Sequence, residues 1–197
     1  MTDRVDRIWA GWRSAYVSGA DTEVKVPDGE GTIFERILNS GWPDRETYVL
    51  DRGEHVAAIL NAYPYGTGHL MVLPQKAVPD LLDLSPEAHA ELWAMVRTAV
   101  GAIRTAYRPD GVNVGTNLGR AGGASIPDHL HVHCLPRWAA DTTFLSTIAE
   151  TRMLPEALDV TWEKLRDAWG SAPGADGPRS EYGAYASTLW LRWQWSF

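Results

Sequence analysis

The most regular pattern of apolar and polar positions lies in residues 85–107, SPEAHAELWAMVRTAVGAIRTAY. Apolar side chains recur there at helical spacing, and a capping Ser85 followed by proline and Glu87 is typical of a helix start. Five shorter apolar runs bounded by turn residues predict strands: TYVLD, HVAAILN, HLMVLP, VNVGTN and HLHVHCL. Shorter helices are predicted near residues 33–39 and 155–169. Five strands with one long crossover helix and a C-terminal helix predict an α+β fold.

The same pattern predicts one central domain with an appendage at each end. With 197 residues, the chain is long enough for one well-packed domain and short for two. We expect an N-terminal arm and polar loop in residues 1–31 and the domain in residues 32–169. Residues 170–180, GSAPGADGPRS, have the composition of a flexible linker. In the tryptophan-rich residues 181–197, apolar and polar positions alternate near the end, which predicts a strand.

Net charge and cysteine content exclude several classes of protein. The formal net charge is −7 and lysine and arginine form no cluster, which argues against a nucleic-acid polymer as partner. Cys134 is the only cysteine, so an intrachain disulfide and a Cys–Cys metal pair are excluded. No apolar run approaches the roughly 20 residues of a membrane span, and the N-terminus lacks the apolar core of a signal peptide. We therefore expect a cytoplasmic protein without a membrane partner.

Three histidines stand at alternating positions in HLHVHCL: His129, His131 and His133. Because side chains alternate across a strand, all three are expected on one face, with apolar residues on the other. Three roles are open for such a cluster. The rings could fill a core, although three polar side chains would then need buried partners. They could bind zinc with a ligand from elsewhere, although no spacing signature identifies the remaining ligands.

The third role is attack on a phosphorus atom. A neutral imidazole is a competent nucleophile near pH 7, and a covalent phosphoramidate would divide one difficult substitution into two easier ones. The neighbouring rings could orient the nucleophile or offer a proton to the leaving group. Upstream, GTNLGRAGGAS offers small residues that let backbone N–H groups approach a phosphate, together with the side chains of Asn117 and Ser125. This role explains more of the surrounding sequence than a metal site or a core does.

The motif HLHVHCL also matches the His-φ-His-φ-His-φ-φ signature of the histidine triad superfamily, where φ is an apolar residue. Similarity extends to NAYPYGTGHLMVLP, PDGVNVGTNLGRAGG, PRW, DTTFL and IWAGWR. Across residues 8–169 the chain resembles the actinobacterial diadenosine tetraphosphate phosphorylase branch of this superfamily. The resemblance implies a homodimer with a HIT-like fold, in which each subunit has an antiparallel half-barrel sheet. It also implies cleavage of dinucleoside polyphosphates or related nucleotides at the α-phosphate.

The resemblance further implies roles for individual residues. The middle histidine, His131, would be the nucleophile, with His129 and His133 as its partners. The expected phosphate-binding residues are Asn117, Gly123 and Ser125. The expected nucleoside-binding residues are Ile59, Asn61, His69, Met71 and Trp138, with Asn61 facing the ribose. Core packing stays an alternative for Ile59 and Met71, and packing at a dimer interface for Trp138.

Two departures from the family pattern bear on cofactors and on the second substrate. Many relatives bind a structural zinc through a Cys-x-x-Cys pair and a downstream histidine. Here Thr32 and Glu35 stand at the cysteine positions and Ala77 at the histidine position, which implies no structural zinc and no protein-bound metal. Magnesium carried by the nucleotide would leave no ligand motif, so dependence on it stays open. Ala124 precedes Ser125 where the branch usually has glycine, so the choice between inorganic phosphate and water stays open too.

Three functions are compatible with these residues. The first is a nucleotidyl transferase or phosphorylase that acts on a small nucleotide, with phosphate or water as the second substrate. The second is a pathway-specific hydrolase or transferase of a nucleotidyl conjugate or a phosphoramidate. The third is a nucleotide-binding protein without catalysis. The complete histidine motif favours an enzyme.

Overall fold

The computed structural model describes residues 26–139, 141 and 156–171. Most of the predicted N-terminal arm, most of the predicted linker and the whole tryptophan-rich tail lie outside the described residues. The predicted domain boundaries therefore stay predictions. In the part of the chain that is described, no helix is both long and apolar enough to cross a membrane.

A five-stranded antiparallel open sheet forms the centre of the described structure. The five strands agree with the sequence pattern, and their antiparallel pairing agrees with what the family resemblance implies. The strands are β1 (Val49–Arg52), β2 (Val56–Leu60), β3 (Leu70–Pro74), β4 (Gly111–Thr116) and β5 (Val132–Arg137). Their order across the sheet is β1-β2-β3-β5-β4, and each neighbouring pair is antiparallel. Because β5 lies between β3 and β4, the chain that joins β3 to β4 has to cross over the sheet.

Four α-helices accompany the sheet within the described residues: α1 (Ile33–Leu38), α2 (Asp44–Thr47), α3 (Pro86–Tyr107) and α4 (Leu158–Trp169). The crossover helix is α3, and its start follows the predicted signals, with proline in its first turn and the Ser85 hydroxyl accepting the N–H of Ala88. Helix α4 is anchored on β1, to which the indole N–H groups of Trp162 and Trp169 donate at 2.8 and 2.7 Å. The sheet is thus fixed against α4 by directed hydrogen bonds as well as by apolar packing.

The sheet separates the apolar side chains into two clusters. Alternate strand residues on one face pack against α3 and α4. On the opposite face the cluster includes two residues of α1 and five of the strands: Phe34, Leu38, Val49, Ala57, Ile59, Met71 and Leu73. Both faces of β2 and β3 are therefore buried. The face covered by α1 carries the histidines.

Strand β5 begins later than predicted. The sequence pattern predicted a strand over residues 129–135, whereas the ladder with β3 and β4 begins at Val132. Before that point the backbone bonds to a loop, since the N–H of Leu130 donates to the carbonyl of Val78 at 2.7 Å. Side chains still alternate through this segment, because Leu130, Val132 and Cys134 all belong to the cluster against α3 and α4. The prediction that the three histidines share the other face is therefore compatible with a shorter strand.

Candidate active site

His131 lies on the face covered by α1 and lines a cavity between α1 and the sheet. Its side chain is only 4% exposed, and its Nδ1 atom lies 2.8 Å from the backbone carbonyl oxygen of His129. A carbonyl oxygen only accepts hydrogen bonds, so Nδ1 carries the proton and Nε2 of the neutral ring keeps its lone pair. Burial lowers the pKa of His131 below its usual 6.5, which favours the neutral ring at pH 7. The ring is thus in the state that a nucleophile requires.

His129 is fully buried, and both of its ring nitrogens have partners. Nε2 lies 2.7 Å from the carbonyl oxygen of Pro74, and Nδ1 lies 2.6 Å from the hydroxyl oxygen of Thr32. The ring of Phe34 packs edge-on against it, with 5.2 Å between ring centroids. His129 is absent from the residues that line the cavity. Its ring is therefore placed to hold the backbone beside His131.

His133 forms one end of a chain of hydrogen bonds. The backbone N–H of Tyr65 donates to Nδ1 of His69 at 3.0 Å, and Nε2 of His69 lies 3.0 Å from Nδ1 of His133. Because Nδ1 of a neutral His69 accepts, its Nε2 carries the proton and donates to His133. A neutral His133 then carries its own proton on Nε2. Its ring centroid lies 4.9 Å from that of His131, which places a hydrogen-bond donor beside the ring of His131.

The cavity beside His131 is mostly apolar. Predicted site residues that line it are Ile59, Asn61, Met71, Ser125 and His131. Helix α1 contributes Ile33, Phe34 and Ile37 to the wall. An apolar cleft lined by a few polar groups is the usual form of a site for a small ligand.

The other predicted site residues lie outside the cavity lining. His69 is buried, and its ring is hydrogen-bonded to that of His133. Asn117 and Gly123 lie together in the loop after β4, where the side-chain amide of Asn117 donates to the carbonyl of Gly123 at 3.5 Å. Gly123 has a φ of 94°, a backbone conformation that favours glycine. Trp138 packs edge-on against Tyr107 at the end of α3, with 6.4 Å between ring centroids.

Sequence reasoning missed several residues that contact the histidines. Thr32 and Glu35 fit the Thr-x-x-Glu pattern of a capping box, so their role at a helix start was readable, but the contact of Thr32 with His129 was not. Phe34 lies 5.4 Å from the ring of His131, and Tyr65 lies 4.6 Å from that of His69, between centroids. No sequence signal links either aromatic residue to the histidine motif.

The residues at the zinc-ligand positions of relatives do not suit a metal. Both carboxylate oxygens of Glu35 accept backbone N–H groups, from Thr32 at 2.9 Å and from Ala77 at 3.1 Å. The hydroxyl of Thr32 is engaged with His129, and the side chain of Ala77 has no donor atom. Across the described residues, no group of three or more His, Cys, Asp or Glu side chains is arranged to hold a metal ion. The donor set therefore does not fit a structural zinc.

Comparison with known sequences links these residues to nucleotide-processing enzymes. A family model described as the HIT domain matches residues 44–140. The AP-4-A phosphorylase of Mycobacterium tuberculosis is 37% identical over 172 residues, which cover 87% of this chain and 88% of that protein. The asymmetrical bis(5'-nucleosyl)-tetraphosphatase of Schizosaccharomyces pombe is 39% identical over 85 residues, which cover 43% of this chain and 46% of that protein.

Solved structures show the same likeness. A hypothetical histidine triad nucleotide-binding protein from Sulfolobus tokodaii has a TM-score of 0.57 and 26% identity, covering 71% of this chain and 93% of that one. A zinc-bound histidine triad family protein from Mycobacterium smegmatis has a TM-score of 0.59 and 25% identity, covering 72% and 94%. Sequence and structure therefore point to one group of proteins.

Proposed function

Because the chain belongs to the histidine triad (HIT) family and to its diadenosine tetraphosphate phosphorylase branch, we propose that it cleaves a dinucleoside polyphosphate at the α-phosphate through a nucleotidyl group on His131. The name of the Mycobacterium tuberculosis relative suggests diadenosine tetraphosphate as the substrate. The observation that carries the proposal is the state of His131. Its ring is buried and neutral, and it faces an apolar cavity with Nδ1–H donated to a backbone carbonyl.

In the first step, Nε2 of His131 attacks the α-phosphorus and the bond from phosphorus to the bridging oxygen breaks. The distal nucleotide leaves with the bonding electron pair, and the nucleoside monophosphate stays attached to Nε2. The positive charge that develops on the ring is stabilised by the carbonyl of His129, which accepts the Nδ1–H at 2.8 Å. His133 donates a hydrogen bond from Nε2 to an oxygen of the reacting phosphate or of the leaving group.

In the second step, an oxygen of inorganic phosphate attacks the same phosphorus, the P–N bond breaks and His131 is restored. We assign the binding of this phosphate to Ser125, with Asn117 and Gly123 supplying the neighbouring loop. Ser125 is exposed and lines the cavity, whereas Ala124 is buried, at 8% exposure, and does not line it. The position of Ala124 outside the cavity lining supports room for a second substrate beside Ser125.

The nucleoside is proposed to lie against Ile59 and Met71, with Asn61 at the ribose. All three line the cavity, which supports this placement. His69 is better suited to orient His133 than to contact the nucleoside, because its ring is buried and hydrogen-bonded to that histidine. We propose no resident metal, and any magnesium would arrive with the nucleotide.

The homodimer and the cytoplasmic location also stay proposals. The homodimer is supported by an open edge of the sheet: β4 is the last strand, and its Val114 is 41% exposed. The unpaired backbone groups of an edge strand can pair with another copy of the chain. Trp138 packs against Tyr107 at the end of α3. It can contact the nucleoside only if the ligand extends that far.

The pH profile of kcat/KM is expected to stay flat through pH 6.5 and to fall by about tenfold per pH unit only at lower pH. Only the neutral His131 attacks, and burial lowers its pKa below the usual 6.5, so protonation removes activity below that value. Initial rates with diadenosine tetraphosphate, a substrate without a terminal phosphate group, would give the profile. An acid limb centred at or above pH 6.5 would contradict a buried neutral nucleophile.

The product test separates the proposed reaction from its alternatives. We expect diadenosine tetraphosphate to give ADP and ATP, and only in the presence of inorganic phosphate, as shown by chromatography with mass detection. AMP and ATP would mean that water restores His131. Tight nucleotide binding without any product would contradict the proposed function and favour a binding protein or a specialised conjugate as substrate.

A further inference from the structure

The contacts of His129 continue beyond the triad into the first turn of α1. There the Thr32 hydroxyl accepts the N–H of Glu35 at 3.3 Å, and the Glu35 carboxylate accepts the N–H of Thr32 at 2.9 Å. This reciprocal pair is a capping box, which satisfies backbone donors at a helix start. The same Thr32 hydroxyl lies 2.6 Å from Nδ1 of His129. One side chain therefore both starts the helix and contacts a histidine of the site.

The partners of His129 leave a single arrangement of protons on its neutral ring. Nε2 faces the carbonyl oxygen of Pro74, which can only accept, so the ring proton lies on Nε2. Nδ1 is then an acceptor. The one hydroxyl proton of Thr32 has two acceptors within reach, Nδ1 of His129 at 2.6 Å and a Glu35 oxygen at 3.2 Å, and the nearer one, Nδ1, receives it. Burial lowers the pKa of His129, which favours this neutral ring at pH 7. The two neighbouring histidines are thus held in opposite tautomers, since His131 carries its proton on Nδ1.

Glu35 joins the two elements that hold the ring of His129. One of its oxygens contacts Thr32, whose hydroxyl lies 3.2 Å away, and the other accepts the N–H of Ala77. Ala77 lies three residues after Pro74, whose carbonyl receives the Nε2 proton of His129. Hydrogen bonds from the backbone of Thr32 and Ala77 lower the pKa of Glu35, so this carboxylate stays ionised. The carboxylate therefore ties α1 to the chain segment on the other side of the ring.

We propose that Thr32 and Glu35 are positioning residues for the nucleophile. They fix the ring of His129 in one place and one tautomer, and so hold the His129 carbonyl oxygen 2.8 Å from Nδ1 of His131. This inference rests on the proposed role of His131. At the positions where many relatives carry zinc-binding cysteines, this chain has a hydroxyl that bonds to His129 and a carboxylate that bonds to Ala77. Neither side chain lines the cavity, so neither is placed to contact a bound nucleotide.

Substitution of Thr32 tests the link. Thr32→Val keeps the shape of the side chain but removes the hydroxyl, which leaves Nδ1 of His129 without its donor in a buried position. With diadenosine tetraphosphate we expect kcat to fall by about 10-fold to 100-fold and KM to stay within about twofold. Long-range ¹H–¹⁵N spectra of the imidazole rings are expected to show single tautomers for His129 and His131 in the wild type and mixtures in Thr32→Val. Thr32→Ser restores the hydroxyl and is expected to restore both kcat and the spectra.

A matched control separates positioning from the loss of a helix cap. Ser85→Ala removes an equivalent cap from α3, where the hydroxyl accepts the N–H of Ala88 at 3.2 Å, and is expected to keep the wild-type kcat and spectra. Glu35→Gln retains a capping acceptor but loses the acceptor for the N–H of Ala77, and we expect an intermediate loss of kcat. This variant tests the same proposal if Thr32→Val does not fold. Unchanged tautomers in Thr32→Val, with or without a loss of kcat, would overturn the proposal. If the wild type turns over no dinucleoside polyphosphate, the proposed function fails. The imidazole spectra would still show whether Thr32 fixes the tautomers of His129 and His131.

Discussion

Replacing His131 with alanine is expected to lower kcat by at least about 1,000-fold while nucleotide affinity stays within a few-fold of the wild type. In the proposed mechanism the ring supplies the bond-forming Nε2 atom, so its loss removes the covalent route, whereas the apolar walls proposed to hold the nucleoside stay in place. Product chromatography would measure turnover, and calorimetric titration with a nucleotide would measure affinity.

A matched histidine on the surface provides the control for His131. His89 lies exposed on α3, away from the cavity, and His89→Ala is expected to keep the wild-type kcat. In the wild type, quenching with alkali, which preserves a phosphoramidate, should leave a nucleotidyl mass on the peptide that contains His131. In His131→Gly, added imidazole should restore part of the turnover, because the missing ring bordered the cavity. Turnover of His131→Ala within a few-fold of the wild type would remove His131 as the nucleophile.

The architecture was predictable because local signals and global packing agree. Ser85 and the proline after it define the start of α3, and apolar residues at helical spacing define the face that packs on the sheet. Order along the chain then predicts a long helix between the third and fourth strands, which is the observed crossover. The short α2 escaped prediction, since its four residues carry no periodicity and it ends at Tyr48 in a left-handed conformation, with a φ of 57°. The left-handed turn at Tyr48 therefore sets the end of α2.

The shared face of the three histidines was predictable from strand periodicity alone, but their hydrogen-bond partners were not. Thr32 lies 97 positions from His129 in sequence, and His69 lies 64 positions from His133. Such contacts depend on how α1 and β3 pack, for which one sequence has no local signal. The late start of β5 has a similar origin, because Leu130 bonds to the loop residue Val78 and not to a strand. The sequence thus predicts which side chains share a face. Tertiary packing decides their hydrogen-bond partners and therefore their tautomers.

Replacing His133 with alanine is expected to have the second largest effect, about 100-fold in kcat/KM for the substrate with the most basic leaving group. The chain from Tyr65 through His69 leaves the proton of a neutral His133 on Nε2, and in the proposed mechanism this N–H donates to the departing oxygen. A donor of this kind stabilises a leaving group more strongly when its negative charge is more localised. Aryl esters of adenosine 5′-phosphate, with phenols of different pKa, would measure this directly.

In such a series the plot of log kcat/KM against the pKa of the phenol should be shallow for the wild type and steeper for His133→Ala. The loss should be smallest for a nitrophenol, whose anion needs little help. Ile59→Val provides the matched control, because Ile59 lines the cavity proposed for the nucleoside that all the esters share, so its plot should run parallel to the wild type. Parallel plots for His133→Ala would show that His133 acts on the bound nucleotidyl group and not on the leaving oxygen. The slope of the plot therefore shows whether His133 donates to the leaving oxygen or to an oxygen of the nucleotidyl group.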